Sequence, residues 1–133
     1  MKSAVVCIIK KGKNVLFCKR APAKGHFPNM WALPAGGMEG DETPFQTAQR
    51  EMMEELGVQI KIAKILNCHY EESENYMQIF LLCSTEDEPR IADGENSELK
   101  WLPFSDFLKA HKDEEIPPGL RYLRKNPQIW KGL

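Results

Sequence analysis

One mixed α/β domain, a sheet covered by helices, is the fold this sequence predicts. Three observations carry it. The chain has 133 residues, which suits a single domain spanning 1–133. Short β-branched, apolar runs recur along it and read as strands. One segment, 44–56, carries explicit helix start and stop signals.

The elements follow in order. "SAVVCIIK" (3–10) is an apolar, β-branched run and reads as a buried strand. "KGKN" (11–14) is a turn, so "VLFCKR" (15–20) is expected to complete a hairpin with the first strand. "APAKGHFPN" (21–29) holds two Pro and one Gly and reads as a loop. "MWAL" (30–33) is a short strand stopped by Pro34. In the helix, Thr43 suits the N-cap, Pro44 the first position, and Gln46 completes a capping box. Gly57 suits the left-handed residue beyond the last turn. "VQIKIAKIL" (58–66) alternates as a half-buried strand does. "YEESEN" (70–75) is a polar loop or hairpin tip, and "YMQIFLLCS" (76–84) another strand. The acidic, turn-rich segment 85–98 is expected to be exposed, and "LKWL" (99–102) to form a short strand. "FSDFLKAH" (104–111) and "PPGLRYLRKN" (117–126) read as helices, the latter opened by Pro117 and Pro118.

Composition narrows the function. At 42% hydrophobic and 28% charged residues, the chain falls in the ordinary soluble globular class. Its net charge of -1 gives no global field for nucleic acid or an anionic membrane. A phosphate-bearing ligand must therefore be held by local cations or a metal. No apolar run is long enough to cross a bilayer. The N-terminal apolar run is too short for a secretory signal. The cysteines, Cys7, Cys18, Cys68 and Cys83, show neither C-x-x-C pairing nor zinc spacing. Cys7, Cys18 and Cys83 read as buried apolar residues, and a reducing, cytoplasmic location is expected.

The helix gathers charge. Advancing about 100° per residue places Phe45, Ala48, Met52 and Leu56 on one buried stripe. Glu51, Glu54 and Glu55 then form a second group at its edge. Arg50 and Glu54 are four apart, and such charge often marks only a solvated helix face. The alternative is a divalent-cation site, since Mg²⁺ takes oxygen ligands and works with few carboxylates plus substrate phosphates. The pair Gly36–Gly37 favours the second reading. It allows close backbone approach, which a solvated face does not need.

From Gly36 to Val58 the residues follow one pattern. Gly36 precedes Glu42 by six positions, and Arg50, Glu51, Glu54, Glu55 and Gly57 follow at fixed spacing, with apolar Met52 and Val58. Seven such identities arise by chance about once in a hundred million tries, if each residue type occurs about once in fifteen. The stretch resembles the signature box of the Nudix hydrolases, the MutT-like family. That resemblance implies an α/β/α sandwich with a mixed sheet between helices. It also implies Mg²⁺- or Mn²⁺-dependent cleavage of a nucleoside diphosphate linked to another moiety. In it, Glu51, Glu54 and Glu55 match metal-binding glutamates, with the Gly36 carbonyl as a further ligand. Arg50 matches the arginine that orients the cluster and Glu42 the supporting carboxylate. Glu51, Glu54, Arg50 and Glu42 are thus the candidate catalytic set. Some members add a carboxylate before a late tryptophan. In "GENSELKW" Glu95 is the better match and Glu98 the second.

For the substrate, Arg20 or Lys19 at a strand end can meet a phosphate, one of the two facing the site. Gly36 and Gly37 can let a phosphate approach. Phe27, Trp31, Tyr70 and Tyr76 are aromatics able to stack on a base, with core packing favoured for Trp31. Length and "LPAGGMEGDE" resemble small MutT-like members that convert (deoxy)nucleoside triphosphates to monophosphate and pyrophosphate. RNA 5′-pyrophosphohydrolase, nucleotide-sugar hydrolase and non-catalytic nucleotide sensor are the alternatives. MutT reads oxidised guanine through an asparagine shortly after Pro-Pro. Here Pro117-Pro118 is followed by Gly119-Leu120, which argues against that specificity. Dimerisation is common in the family.

Overall fold

The structure, a computed structural model, describes residues 2–22 and 27–133. The middle of the predicted loop, residues 23–26, lies outside them. The strands are β1 (Lys2–Lys11), β2 (Asn14–Arg20), β3 (Trp31–Ala32), β4 (Ala35–Gly37), β5 (Lys61–Glu71), β6 (Tyr76–Ser84) and β7 (Asn96–Leu102). The helices are α1 (Pro44–Leu56), α2 (Phe104–Ala110) and α3 (Pro118–Lys125), with short 3₁₀ turns at Asp113–Glu115 and Pro127–Ile129.

The sheet is mixed. Its order is β3-β2-β1-β6-β5, with β4 beside β1 and β7 beside β2. β1 and β6 run parallel, from Lys2 opposite Tyr76 to Ile9 opposite Cys83. The remaining pairings are antiparallel.

Successive residues of a strand point to opposite faces, so the two cores can be read from β1. Val5, Cys7 and Ile9 pack with Ala48, Met52 and Leu56 of α1. Val6 and Ile8 pack with Phe104 and Phe107 of α2 and with Leu120 and Leu123 of α3. α1 therefore covers one face and α2 and α3 the other, which is the expected sandwich. Among the described residues no helix is long and apolar enough to cross a membrane.

One irregularity positions the site. β1 pairs with β2 only at Lys10 and Lys11, while Ala4, Val5 and Val6 pair with β4 instead. β2 continues with β7 along one edge and takes β3 on the other at Cys18 and Lys19. The two long strands thus part. The chain from β3 to β4 fills the gap, tied by the Cys7 N–H donating to the Pro34 carbonyl at 2.8 Å.

Several expectations are corrected. Phe45 is not on the buried stripe; it is 45% exposed, and Thr47 and Glu55 are buried instead. The Gly36–Gly37 pair belongs to a short strand, β4, that the sequence did not predict. β5 begins at Lys61 and runs to Glu71, because the hairpin pairing continues to Glu71 opposite Tyr76. β7 begins at Asn96, three residues early, because β2 carries the ladder on to Arg20. Asn96 is consequently buried, against the exposure expected of 85–98.

Candidate active site

α1 is fixed at both ends as its sequence demands. Thr43 Oγ1 accepts from the Gln46 N–H, and Gln46 Oε1 accepts from the Thr43 N–H. Gly57 takes φ 67°, a left-handed conformation that glycine adopts without strain. Beyond it, the Arg90 and Ala92 N–H groups donate to the Leu56 and Glu55 carbonyls. These bonds satisfy helix-end carbonyls and bring the acidic segment containing Asp93 and Glu95 against the helix.

Arg50 is the hub of the cluster. Its Nε donates to Glu42 Oε2 at 2.7 Å and its Nη2 to Glu42 Oε1 at 2.9 Å. Nη2 also donates to the Gly37 carbonyl at 3.1 Å. Nη1 reaches Glu51 Oε1 at 3.0 Å and Glu54 Oε2 at 3.3 Å. Glu42 accepts further from the Glu39 N–H and the Thr47 hydroxyl. Its carboxyl is lowered to about 2, first by the Arg50 hydrogen bonds and then by the Glu39 N–H. Arg50 is held correspondingly more basic, chiefly by Glu42. Glu42 is therefore a strut: it fixes Arg50, the loop and the helix together.

Glu55 has the opposite environment. It is 2% exposed, and its Oε2 has no hydrogen-bond partner. Burial pushes its carboxyl up to about 10, reinforced by the neighbouring Glu51 and then by Glu95 and Asp93. A buried, unpartnered carboxylate oxygen is costly unless something positive meets it. Beside it, Glu51 lies directly over Gly36, where a Cβ would stand 2.2 Å from Glu51 Cγ. Only glycine leaves that room. Among the described residues no three acidic, His or Cys side chains are gathered tightly enough to hold a cation as they stand. Arg50 Nη1 instead contacts both Glu51 and Glu54. The donor set nevertheless fits a hard divalent ion: adjacent carboxylates, one with an orphaned buried oxygen, beside a glycine strand.

Most of these groups line a cavity of about 680 Å³ that opens where β1 and β2 part. Gly36, Gly37, Arg50, Glu51, Glu54 and Glu55 all face it. So do Arg20 and Glu95, which pair at 3.9 Å. Their alternatives, Lys19 and Glu98, pair with each other at 3.4 Å and are not part of the wall. Of the aromatics, Phe27 and Tyr76 line the cavity. Trp31 packs on the core beneath Lys100 Nζ, which lies 4.0 Å from its ring centroid, and Tyr70 hydrogen-bonds to Asn75. The far wall includes Pro117, Gly119 and Leu120.

Sequence reasoning missed two wall residues, Gln78 and Asn96, each buried with unpartnered amide atoms. Gln78 left a signal, a lone polar residue interrupting the apolar strand "YMQIFLLC". Asn96 left none, since it sits in a polar run.

The geometry can be set beside known proteins. The NUDIX domain family matches residues 1–123. A nucleoside triphosphatase NudI of Enterobacter sp. (strain 638) is 44% identical over 62 residues, covering 46% of this chain and 44% of that protein. The Escherichia coli O139:H28 NudI is 40% identical over the same length. The match thus spans less than half of these curated relatives. In fold, the chain is similar to a NUDIX hydrolase from Nitrosomonas europaea (TM-score 0.69, 25% identity, 96% of this chain and 72% of that one). It is also similar to the MutT protein from Methanosarcina mazei Go1 (TM-score 0.77, 20% identity, 98% and 96%). A family match across residues 1–123 of 133 leads to one conclusion: this chain belongs to the NUDIX domain family.

Proposed function

We propose that this protein is a divalent-metal-dependent nucleotide pyrophosphohydrolase. Its preferred reaction would convert a (deoxy)nucleoside triphosphate and water to the monophosphate and pyrophosphate. The observation that supports it most is the make-up of the cavity, whose lining combines glutamates organised by Arg50 with apolar side chains and the rings of Tyr76 and Phe27. A nucleotide offers phosphates to the first and a base to the second.

Glu51, Glu54, Glu55 and the Gly36 carbonyl would hold Mg²⁺ or Mn²⁺, with Glu95 as an added ligand. A cation there supplies charge neutralisation at the phosphate oxygens and acidifies water. The protein's own groups do the rest. Arg20 donates to a phosphate oxygen, and Arg50 and Glu42 fix the helix face that carries the carboxylates. Glu54, with a side chain 55% exposed, is the carboxylate most open to the attacking water.

The test is a substrate panel with Mg²⁺ and product masses, using Glu54→Gln as control. The panel holds canonical and oxidised (d)NTPs, nucleotide sugars, ADP-ribose, NADH, dinucleoside polyphosphates and 5′-triphosphorylated RNA. Turnover of a nucleoside triphosphate that the control lacks is the expected result. Turnover of RNA or a nucleotide sugar instead would replace the substrate assignment. Binding without turnover across the panel would overturn hydrolysis.

A further inference from the structure

Buried carboxamides are rarely left without partners. Gln78 on β6 is 4% exposed, lines the cavity, and has an Oε1 with no hydrogen-bond partner. Its side chain interacts with the Tyr76 phenol, which is also part of the wall.

Gly119 explains where the carboxamide lies. Gly119 is buried within α3. Its φ lies outside the left-handed region, so no backbone demand calls for glycine, which helices otherwise disfavour. A Cβ at this position would stand 2.8 Å from Gln78 Nε2. The missing side chain is thus the space in which the end of Gln78 rests. Around it the wall is apolar, with Val6, Leu33 and Leu120.

A partly apolar cavity with a buried, unpaired carboxamide acceptor fits a flat, apolar-faced group with an N–H at its edge. That is a nucleobase. We propose that Gln78 determines base specificity: its Oε1 accepts an N–H from the edge of the nucleobase, and Gly119 keeps the room that makes this possible. The assignment rests on the nucleotide reading above, which places phosphates at the carboxylates. A site built to hydrogen-bond one edge rejects a base that leaves its polar atom unpaired.

The test separates base recognition from hydrolysis. Metal-free wild type, Gln78→Leu, Gly119→Ala and the double variant are titrated calorimetrically with AMP, CMP, GMP and UMP and their deoxy forms. Wild type should prefer one base by about tenfold or more, the scale of a buried hydrogen bond. Gln78→Leu should flatten that preference. Gly119→Ala should do likewise, because it displaces the carboxamide while keeping it. The double variant should match Gln78→Leu. A purely structural Gln78 would change the melting temperature and leave the ratios between bases intact, which would overturn the proposal. Wild type that binds all monophosphates equally, or none, would overturn it too. A base preference lost in Gln78→Leu, together with silence in the hydrolysis panel, would sink the enzymatic reading and leave this one standing.

Discussion

Arg50 grips Glu42 with two parallel donors, Nε at 2.7 Å and Nη2 at 2.9 Å, so that one carboxylate takes both edges of the guanidinium fork. Such a pair is geometrically specific as well as charged. It holds the Glu42 carboxyl at about 2, below its ordinary 4.5. A carboxyl lowered in the folded state adds stability above its unfolded pKa and loses it as pH falls through the folded one. Glu42→Gln should therefore melt below wild type at neutral pH in EDTA. The difference should shrink between about 4.5 and about 2. Melting curves across that range check it; a constant gap would show that the strut is not ionic.

Gly36→Ala tests the close approach of β4 to Glu51. The new methyl would meet the Glu51 side chain at 2.2 Å. A flexible side chain can move aside, so the fold should survive and the carboxylate should not stay in place. We expect a melting temperature within a few degrees of wild type and kcat lower by roughly a hundredfold, the scale of a 1 Å misplacement.

Glu55→Gln separates stability from metal binding. Burial holds this carboxyl up to about 10, so it is already neutral near pH 7. A neutral amide of the same shape should therefore melt within a few degrees of wild type in EDTA. Wild type should gain stability with Mg²⁺, since a ligand bound only by the folded state stabilises it. The variant should lose most of that gain. Thermal shifts with and without Mg²⁺ decide both halves.

Met52 and Phe45 differ in burial, at 0% and 45% exposed. Met52→Ala should cost about 2–5 kcal/mol by emptying packed core. Phe45→Ala should cost about 1 kcal/mol or less. Urea unfolding of the two variants would show the orientation of α1 directly.

The contrast between those two residues shows what the sequence could tell. Thr43, Pro44, Gln46 and Gly57 fixed both ends of α1, because caps are local chemistry. The helical period placed Met52 correctly, but it also placed Phe45 inside. A period gives the direction of a side chain, not whether the sheet extends beneath it. Gly36, Arg50, Glu51, Glu54 and Glu55 were picked out by their likeness to the family's box, and these five line one cavity. Gly119 and Asn96 were not legible, and Gln78 showed only as a lone polar residue in an apolar strand. Their meaning comes from contacts between β6, α3 and β7, and no local pattern encodes which strand will lie beside which helix. β4 was hidden for a related reason: Ala35-Gly36-Gly37 has little strand propensity and becomes a strand only because β2 leaves the edge of β1 open.

The parallel pairing of β1 with β6 sets the order in which this molecule can be made. β1 is made before β6, and Val5 to Ile9 are all buried in the folded protein. Its parallel partner follows roughly seventy residues later. Until then an apolar strand edge is left open, able to pair with other chains. β2 and β4 pair with the opposite edge of β1 and leave this one uncovered. Translation stalled before residue 76 would thus leave the stickiest strand of the protein uncovered. Such nascent chains should depend on a holdase, while the completed chain should not.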